Sequence, residues 1–148
     1  MVGEHGNSMF CPWSSVNING KRYDDLDHTD PRFSFDPEEI EQKAKYGGWV
    51  TFSGKHCTEY AIGTTAARMA EAVFNDSKLV MPASIELGGA YGEKDIYMGV
   101  PCIIGKDGAE EIVELKLTDR EKEKFAASVA AIRANMAKAD EMFPVKQN

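Results

Sequence analysis

Residues 79–117 read LVMPASIELGGAYGEKDIYMGVPCIIGKDGAEEIVELKL, and this stretch decides the fold. It predicts three strands. Val80–Leu87 is followed by the glycine cluster Gly88-Gly89-Ala90-Tyr91-Gly92, which breaks the chain before the strongly apolar run Ile96–Ile104. Gly105-Lys106-Asp107-Gly108 then turns the chain toward Ile112–Leu117. In that last run Val113, Leu115 and Leu117 alternate with Glu114 and Lys116, the pattern of a half-buried antiparallel strand. Pro82 and Pro101 predict bulges or edge positions.

C-terminal to these strands, residues 119–142 predict a helix. Thr118 and Glu121 have capping-box spacing. Phe125, Val129, Ile132, Met136 and Phe143 mark one buried stripe, read as core packing. N-terminal to the strands, a helix is expected from about Thr58 to Phe74, where Ile62, Ala66, Met69, Ala70 and Val73 recur at helical spacing. An earlier helix starts at Asp36 as cap, with Pro37 in the first turn and Glu38 and Glu39 at the positive end of the dipole. On propensity alone, Gly47-Gly48 should weaken or end it. Residues 1–35 read mostly as loop. A short strand is expected near Ser15–Ile18, and an Asn19-Gly20 turn leads into Arg22–Leu26. The expected fold class is α+β, an antiparallel sheet packed with helices.

A length of 148 residues fits one domain, residues 1–148, and 43% apolar residues suffice for a core. A net charge of -7, with no long basic run, argues against nucleic acid as the main partner. The sequence has no apolar stretch near ~18 residues, which argues against a membrane partner. It starts without a basic or apolar leader, so a cytoplasmic location is expected. Cys11, Cys57 and Cys102 match no metal or redox spacing and read as reduced, mostly buried thiols; no metal site is expected.

Of the three histidines, His5, His28 and His56, only His5 has an informative context, Gly3-Glu4-His5-Gly6-Asn7-Ser8. Flanking glycines let the backbone turn and leave the imidazole uncrowded. Histidine titrates near neutrality, so a loop imidazole of this kind is a candidate general acid and base.

Gly3-Glu4-His5-Gly6 followed by Asn7-Ser8 resembles the signature around the catalytic histidine of L-lactate dehydrogenases. Trp13-Ser14, Val16-Asn17-Ile18, Thr58-Glu59-Tyr60-Ala61-Ile62-Gly63, Tyr91-Gly92-Glu93-Lys94-Asp95, Val100-Pro101-Cys102-Ile103-Ile104-Gly105 and Leu117-Thr118 continue the match in the same order. The resemblance implies the C-terminal, substrate-side domain of the lactate/malate dehydrogenase superfamily. It implies that His5 exchanges a proton with the oxygen of a small 2-oxo or 2-hydroxy acid while NAD exchanges hydride at carbon. It implies that Thr58 lines the pocket for the substrate side chain, and that Ile62 packs against the nicotinamide ring. It also implies a homo-oligomer. Asn7 stands where many lactate dehydrogenases have Asp. Gly-Asn-Ser and the paired Gly47-Gly48 resemble the bacterial L-2-hydroxyisocaproate dehydrogenases, which widens the expected substrates toward bulkier acids. The same resemblance suggests that the first helix continues past Gly47-Gly48, to about Ser53.

The family's Gly-x-Gly-x-x-Gly dinucleotide turn is not found in these residues. Neither is its Asp-x-x-Arg segment, which in the family pairs with the histidine and clamps the substrate carboxylate, nor the lid arginine. The NAD-binding domain is therefore expected to be absent from this chain, and the chain alone to be inactive. A malate dehydrogenase half is the nearest enzymatic alternative; a non-catalytic oligomerisation module is the alternative of another class.

Overall fold

A computed structural model describes residues 1–144. A two-stranded ribbon, β1 (Asn17–Ile18) and β2 (Lys21–Arg22), turns at Asn19 and Gly20, both at positive φ as a tight hairpin requires. Two helices follow, α1 (Pro37–Lys55) and α2 (Glu59–Phe74). A three-stranded antiparallel sheet comes next: β3 (Leu79–Glu86), β4 (Tyr97–Gly105) and β5 (Gly108–Ile112), with β4 in the middle. The long helix α3 (Asp119–Met142) follows the sheet. The fold class is the α+β arrangement expected.

One face of the sheet is covered and the other is open. In β4 the side chains of Met98, Val100, Cys102 and Ile104 are buried, while Tyr97 on the opposite face is exposed. Antiparallel register sets Met81 beside Cys102, Ala83 beside Val100 and Ile85 beside Met98, so β3 presents its apolar side chains to the same layer. Toward one end, Phe125 and Val129 of α3 join Val2, Phe10, Leu87, Ile96, Met98 and Val100 in one core cluster. Toward the other, Ala72 of α2 joins Met81, Cys102 and Ile104 in a second.

The third strand departs from the expected Ile112–Leu117: it ends at Ile112. Two features of β4 explain why. Pro101 accepts a bond from the Val113 amide at 2.9 Å but has no N–H to return. Two residues on, the amide and carbonyl of Gly99 are both taken by Gly3, at 3.1 and 2.8 Å, where Leu115 would otherwise pair. The ladder position is occupied, so residues 113–117 peel away. The Tyr91 hydroxyl takes over, donating toward the Val113 carbonyl and accepting the Leu115 amide at 2.9 Å. Leu115 and Leu117 still pack against the core, so the alternation reported burial correctly and secondary structure wrongly. Pro82 lies in the edge strand β3 as expected. Pro101 instead sits in the central strand, and the irregularity in register falls between Ile103 and Ile104.

The first helix runs unbroken through Gly47-Gly48, two residues beyond the reach suggested by resemblance. Nothing stands within 4 Å of where a Cβ would be at either glycine, so tertiary contact there does not hold the helix together. Its ends do. The Asp36 carboxylate accepts the Glu38 amide at 2.9 Å, Pro37 occupies the first turn, and His56 closes the C-terminus in the left-handed conformation, donating to Phe52 at 2.7 Å. The α3 stripe is shorter than expected: Phe125 and Val129 are buried and Ile132 partly so, but Met136 and Phe143 are exposed. The ribbon strand β2 is also shorter than Arg22–Leu26, because Tyr23–Asp25 forms a 3-10 turn. Of the thiols, Cys102 is buried and Cys11 half-buried, but Cys57 is exposed, against expectation.

Two buried carboxylates tie the helices to the N-terminal loop. Glu121 completes the capping box with Thr118 and also accepts the Ser14 amide at 3.0 Å and the Ser14 hydroxyl at 2.6 Å. Glu41, the single buried residue of α1, accepts the Cys11 amide at 3.1 Å and pairs with Lys45 at 3.1 Å and Lys124 at 3.2 Å. Burial alone would raise both acids. The donors from Ser14 and Thr118, and from Cys11, Lys45 and Lys124, outweigh it and hold both below the ordinary value of 4.5. A carboxyl group with a depressed folded value stabilises the fold above its unfolded value and loses that contribution as acid protonates it. Stability should therefore be level from neutral pH down to about pH 5 and fall below it, and Glu121→Gln should weaken that acid dependence. Urea unfolding at stepped pH measures this; a Glu121→Gln curve parallel to that of the wild type would contradict it.

Candidate functional site

Val2 and Phe10 pair through reciprocal backbone bonds of 2.8 and 3.0 Å, so residues 3–9 form a closed loop whose two ends are buried in the core. Gly3 extends this pairing into the sheet by bonding Gly99 of β4. Gly3 has φ +106°, and a Cβ there would come within 2.5 Å of Ser128 Oγ on α3. Only glycine lets the loop approach the helix this closely. At that contact the Glu4 amide donates to Ser128 Oγ at 2.6 Å. The Glu4 carboxylate turns back to accept the Ser8 hydroxyl at 2.5 Å and the Ser8 amide at 3.3 Å. His5 lies inside this braced loop and is exposed. Among the described residues no group hydrogen-bonds its imidazole, so both ring nitrogens are available to an incoming ligand.

His5 and Glu4 line a cleft of about 600 Å³ together with Ile62 and Met69 of α2, Ile132 of α3, and Ala83 and Met98 of the sheet. The structure thus brings two of the three expected site residues, His5 and Ile62, to one cavity. Thr58 is not among the residues lining it. Thr58 occupies the N-cap of α2, one helical turn before Ile62, is exposed, and makes no capping bond with its side chain. Ile62 is 68% exposed, an apolar side chain facing open space. A larger cleft, about 730 Å³, opens between the 114–117 segment and α3 around Tyr91 and Phe125. Glutamates, lysines and a hydrogen-bonded tyrosine line it, with no histidine. The smaller cleft is the better candidate for acid–base chemistry, because of the two it alone carries an imidazole.

The cleft offers an exchangeable proton beside an apolar wall. Such a site can protonate a carbonyl oxygen and shield the neighbouring carbon from water. The exposed Ile62 side chain suits the face of a flat ring. The residues of the cleft therefore fit the nicotinamide end of a dinucleotide, while among the described residues no glycine-rich turn ahead of a helix is present to cradle a pyrophosphate. Among the described residues no group of three or more His, Cys, Asp or Glu could hold a metal ion, and no helix is long and apolar enough to cross a membrane.

The brace around His5 was not visible in advance as a functional element. Its signal was there: Ser128 interrupts the apolar stripe Phe125, Val129, Ile132, and a polar residue inside such a stripe needs a buried partner. Glu41 carried no comparable signal, because a glutamate one turn into a charged helix, just past Glu38 and Glu39, reads as a solvated side chain.

The lactate/malate dehydrogenase, alpha/beta C-terminal domain family matches residues 1–143. L-lactate dehydrogenase 3 of Bacillus thuringiensis subsp. konkukian is 42% identical over 137 residues, which cover 91% of this chain and 43% of that protein. The ligand-bound minor L-lactate dehydrogenase of Enterococcus mundtii superposes with a TM-score of 0.81 at 32% identity, over 90% of this chain and 43% of that one. Malate dehydrogenase of Archaeoglobus fulgidus in complex with NADH gives 0.76 at 30% identity, over 93% and 42%. The chain thus spans less than half the length of these relatives. By the match across its whole described core, this chain belongs to the lactate/malate dehydrogenase family and has the fold of its alpha/beta C-terminal domain.

Proposed function

We propose that this chain is the substrate-side half of an NAD-dependent L-2-hydroxy acid dehydrogenase, with L-lactate and pyruvate as its substrate pair. The observation that carries the reading is the placing of His5, exposed and braced, in one cleft with Ile62. NAD, when bound by the partner domain, supplies or accepts the hydride. His5 donates a proton to the substrate's keto oxygen in reduction and takes it back from the hydroxyl in oxidation. Ile62 packs against the nicotinamide ring when the cofactor is bound and, with Met69 and Ile132, keeps water from the cleft. Thr58, one turn earlier on α2, bounds the space for the substrate side chain once the partner domain closes the site.

Turnover needs a cofactor cradle and a clamp for the substrate carboxylate, and the cleft supplies neither. The chain alone should therefore show no NADH oxidation and no tight NADH binding. Micromolar binding of NADH to the 148-residue chain, read by its fluorescence, would contradict this. Activity should appear in a chimera that joins the part of the Bacillus thuringiensis relative preceding the matched region to this chain. NADH oxidation should be fastest with pyruvate, slower with 2-oxoisocaproate and slowest with oxaloacetate. A chimera that binds NADH but reduces none of the three acids would sink the proposal, and a preference for oxaloacetate would move the reading to a malate enzyme.

Self-association has a specific support of its own. Trp49 and Val50 of α1 and Tyr60 of α2 are each more than 65% exposed, an apolar surface unlike that of a freely solvated monomer. Its readout is light scattering, and a strictly monomeric chain at high concentration would count against it.

A further inference from the structure

We infer that Ser128, on α3, is a positioning residue for His5, acting through a directional chain of hydrogen bonds that closes the loop on both sides of the imidazole. The inference rests on the acid–base reading of His5 and adds the device that holds it. Ser128 is wholly buried within the apolar face of α3, between Phe125, Val129 and Ile132. A hydroxyl there is retained only if its donor and acceptor are both used.

Both are used, and the directions follow from the number of protons. The Glu4 amide donates to Ser128 Oγ at 2.6 Å. Ser8 has one hydroxyl proton and gives it to the Glu4 carboxylate at 2.5 Å, an acceptor that offers nothing in return. The Ser8 oxygen, 3.0 Å from Ser128 Oγ, must then accept, so Ser128 donates. The chain runs from the Glu4 amide through Ser128 and Ser8 and ends on the carboxylate of Glu4, which also accepts the Ser8 amide. Residues 4 and 8 are thereby locked to each other and to α3, with His5 between them. Ile132, one turn beyond Ser128 on the same helix face, lines the cleft that His5 enters. Helix α3 thus sets the apolar wall and the imidazole against one another.

A purely structural hydroxyl would stabilise the domain as a whole; a positioning hydroxyl acts on the loop. Amide hydrogen exchange in the 148-residue chain separates the two. In Ser128→Ala, exchange at Glu4 and Ser8 should quicken by about tenfold, while the amides of β4 stay protected. Ile104→Val, in the other core cluster, should lower the melting temperature and leave the loop as protected as before. Ser8→Ala, half-exposed and safe for folding, should free the amide at position 8 in the same way.

In the chimera, Ser128→Ala should lower kcat about ten- to a hundredfold with little change in KM for pyruvate. Unchanged loop exchange, equal loosening by Ile104→Val, or full kcat in Ser128→Ala would each overturn the assignment. The two readings fail differently. A chimera whose His5→Asn variant reduces pyruvate at the normal rate removes the acid–base role itself. Normal dependence on His5 with an unimpaired Ser128→Ala removes only the positioning role.

Discussion

Replacing His5 with Asn in the chimera is expected to slow pyruvate reduction by about 10²–10⁴-fold, with KM changing far less than kcat. Asparagine keeps a polar side chain in the cleft but cannot carry a proton between solvent and substrate. Glu4 is the nearest other acid, and its carboxylate is already occupied by the Ser8 hydroxyl and amide. The loss should appear in the reduction step itself, read by stopped-flow absorbance of NADH, rather than in NADH binding. His56→Asn is the matched control. His56 closes α1 at φ +61°, a conformation asparagine tolerates well, and it stands outside the cleft. That variant should keep the wild-type rate. Equal losses in the two would show that the effect is general damage and not proton transfer.

The largest expected effect on stability is from Phe10→Ala, about 3–5 kcal/mol by urea unfolding. Phe10 is 1% exposed and fills the cluster shared by β4, α3 and the N-terminal segment. Removing the ring leaves a cavity in the cluster formed by Val2, Val100 of β4, and Phe125 and Val129 of α3, and those three separate elements cannot all collapse into it. The same ring anchors the far end of the His5 loop, since the Phe10 and Val2 backbones bond each other directly. Loop exchange should rise with the loss of stability in this variant, unlike in Ser128→Ala, where the two should separate. A cost below about 1 kcal/mol would mean that the N-terminal segment packs on the sheet without contributing to it.

Much of this architecture was legible in the sequence because local signals and tertiary packing agreed. The capping box at Thr118 and Glu121, the Asn19-Gly20 turn and the Asp36-Pro37 start of α1 all form as their residue types require. Legibility failed where one element competes with another distant in sequence. No property of residues 112–117 reveals that Gly3, more than a hundred residues upstream, takes the ladder position beside Gly99. Met136 and Phe143 continue the α3 stripe in sequence, but no described element reaches far enough to cover them. Resemblance singled out His5, Thr58 and Ile62; the fold brings His5 and Ile62 to one cleft and leaves Thr58 outside its lining. The residues that brace His5 were legible only as an oddity, a serine in an apolar stripe, because a hydroxyl's partners are set by the fold and not by spacing along the helix.

Whether His5 and Ile62 serve one reaction site is decided by a crystal structure of the chimera with NADH and a non-reducible analogue of pyruvate. The analogue's carbonyl oxygen should lie within hydrogen-bonding distance of the His5 imidazole, with the nicotinamide ring in contact with Ile62. An analogue seated in the Tyr91–Phe125 cleft, or a nicotinamide ring turned away from α2, would contradict a shared site.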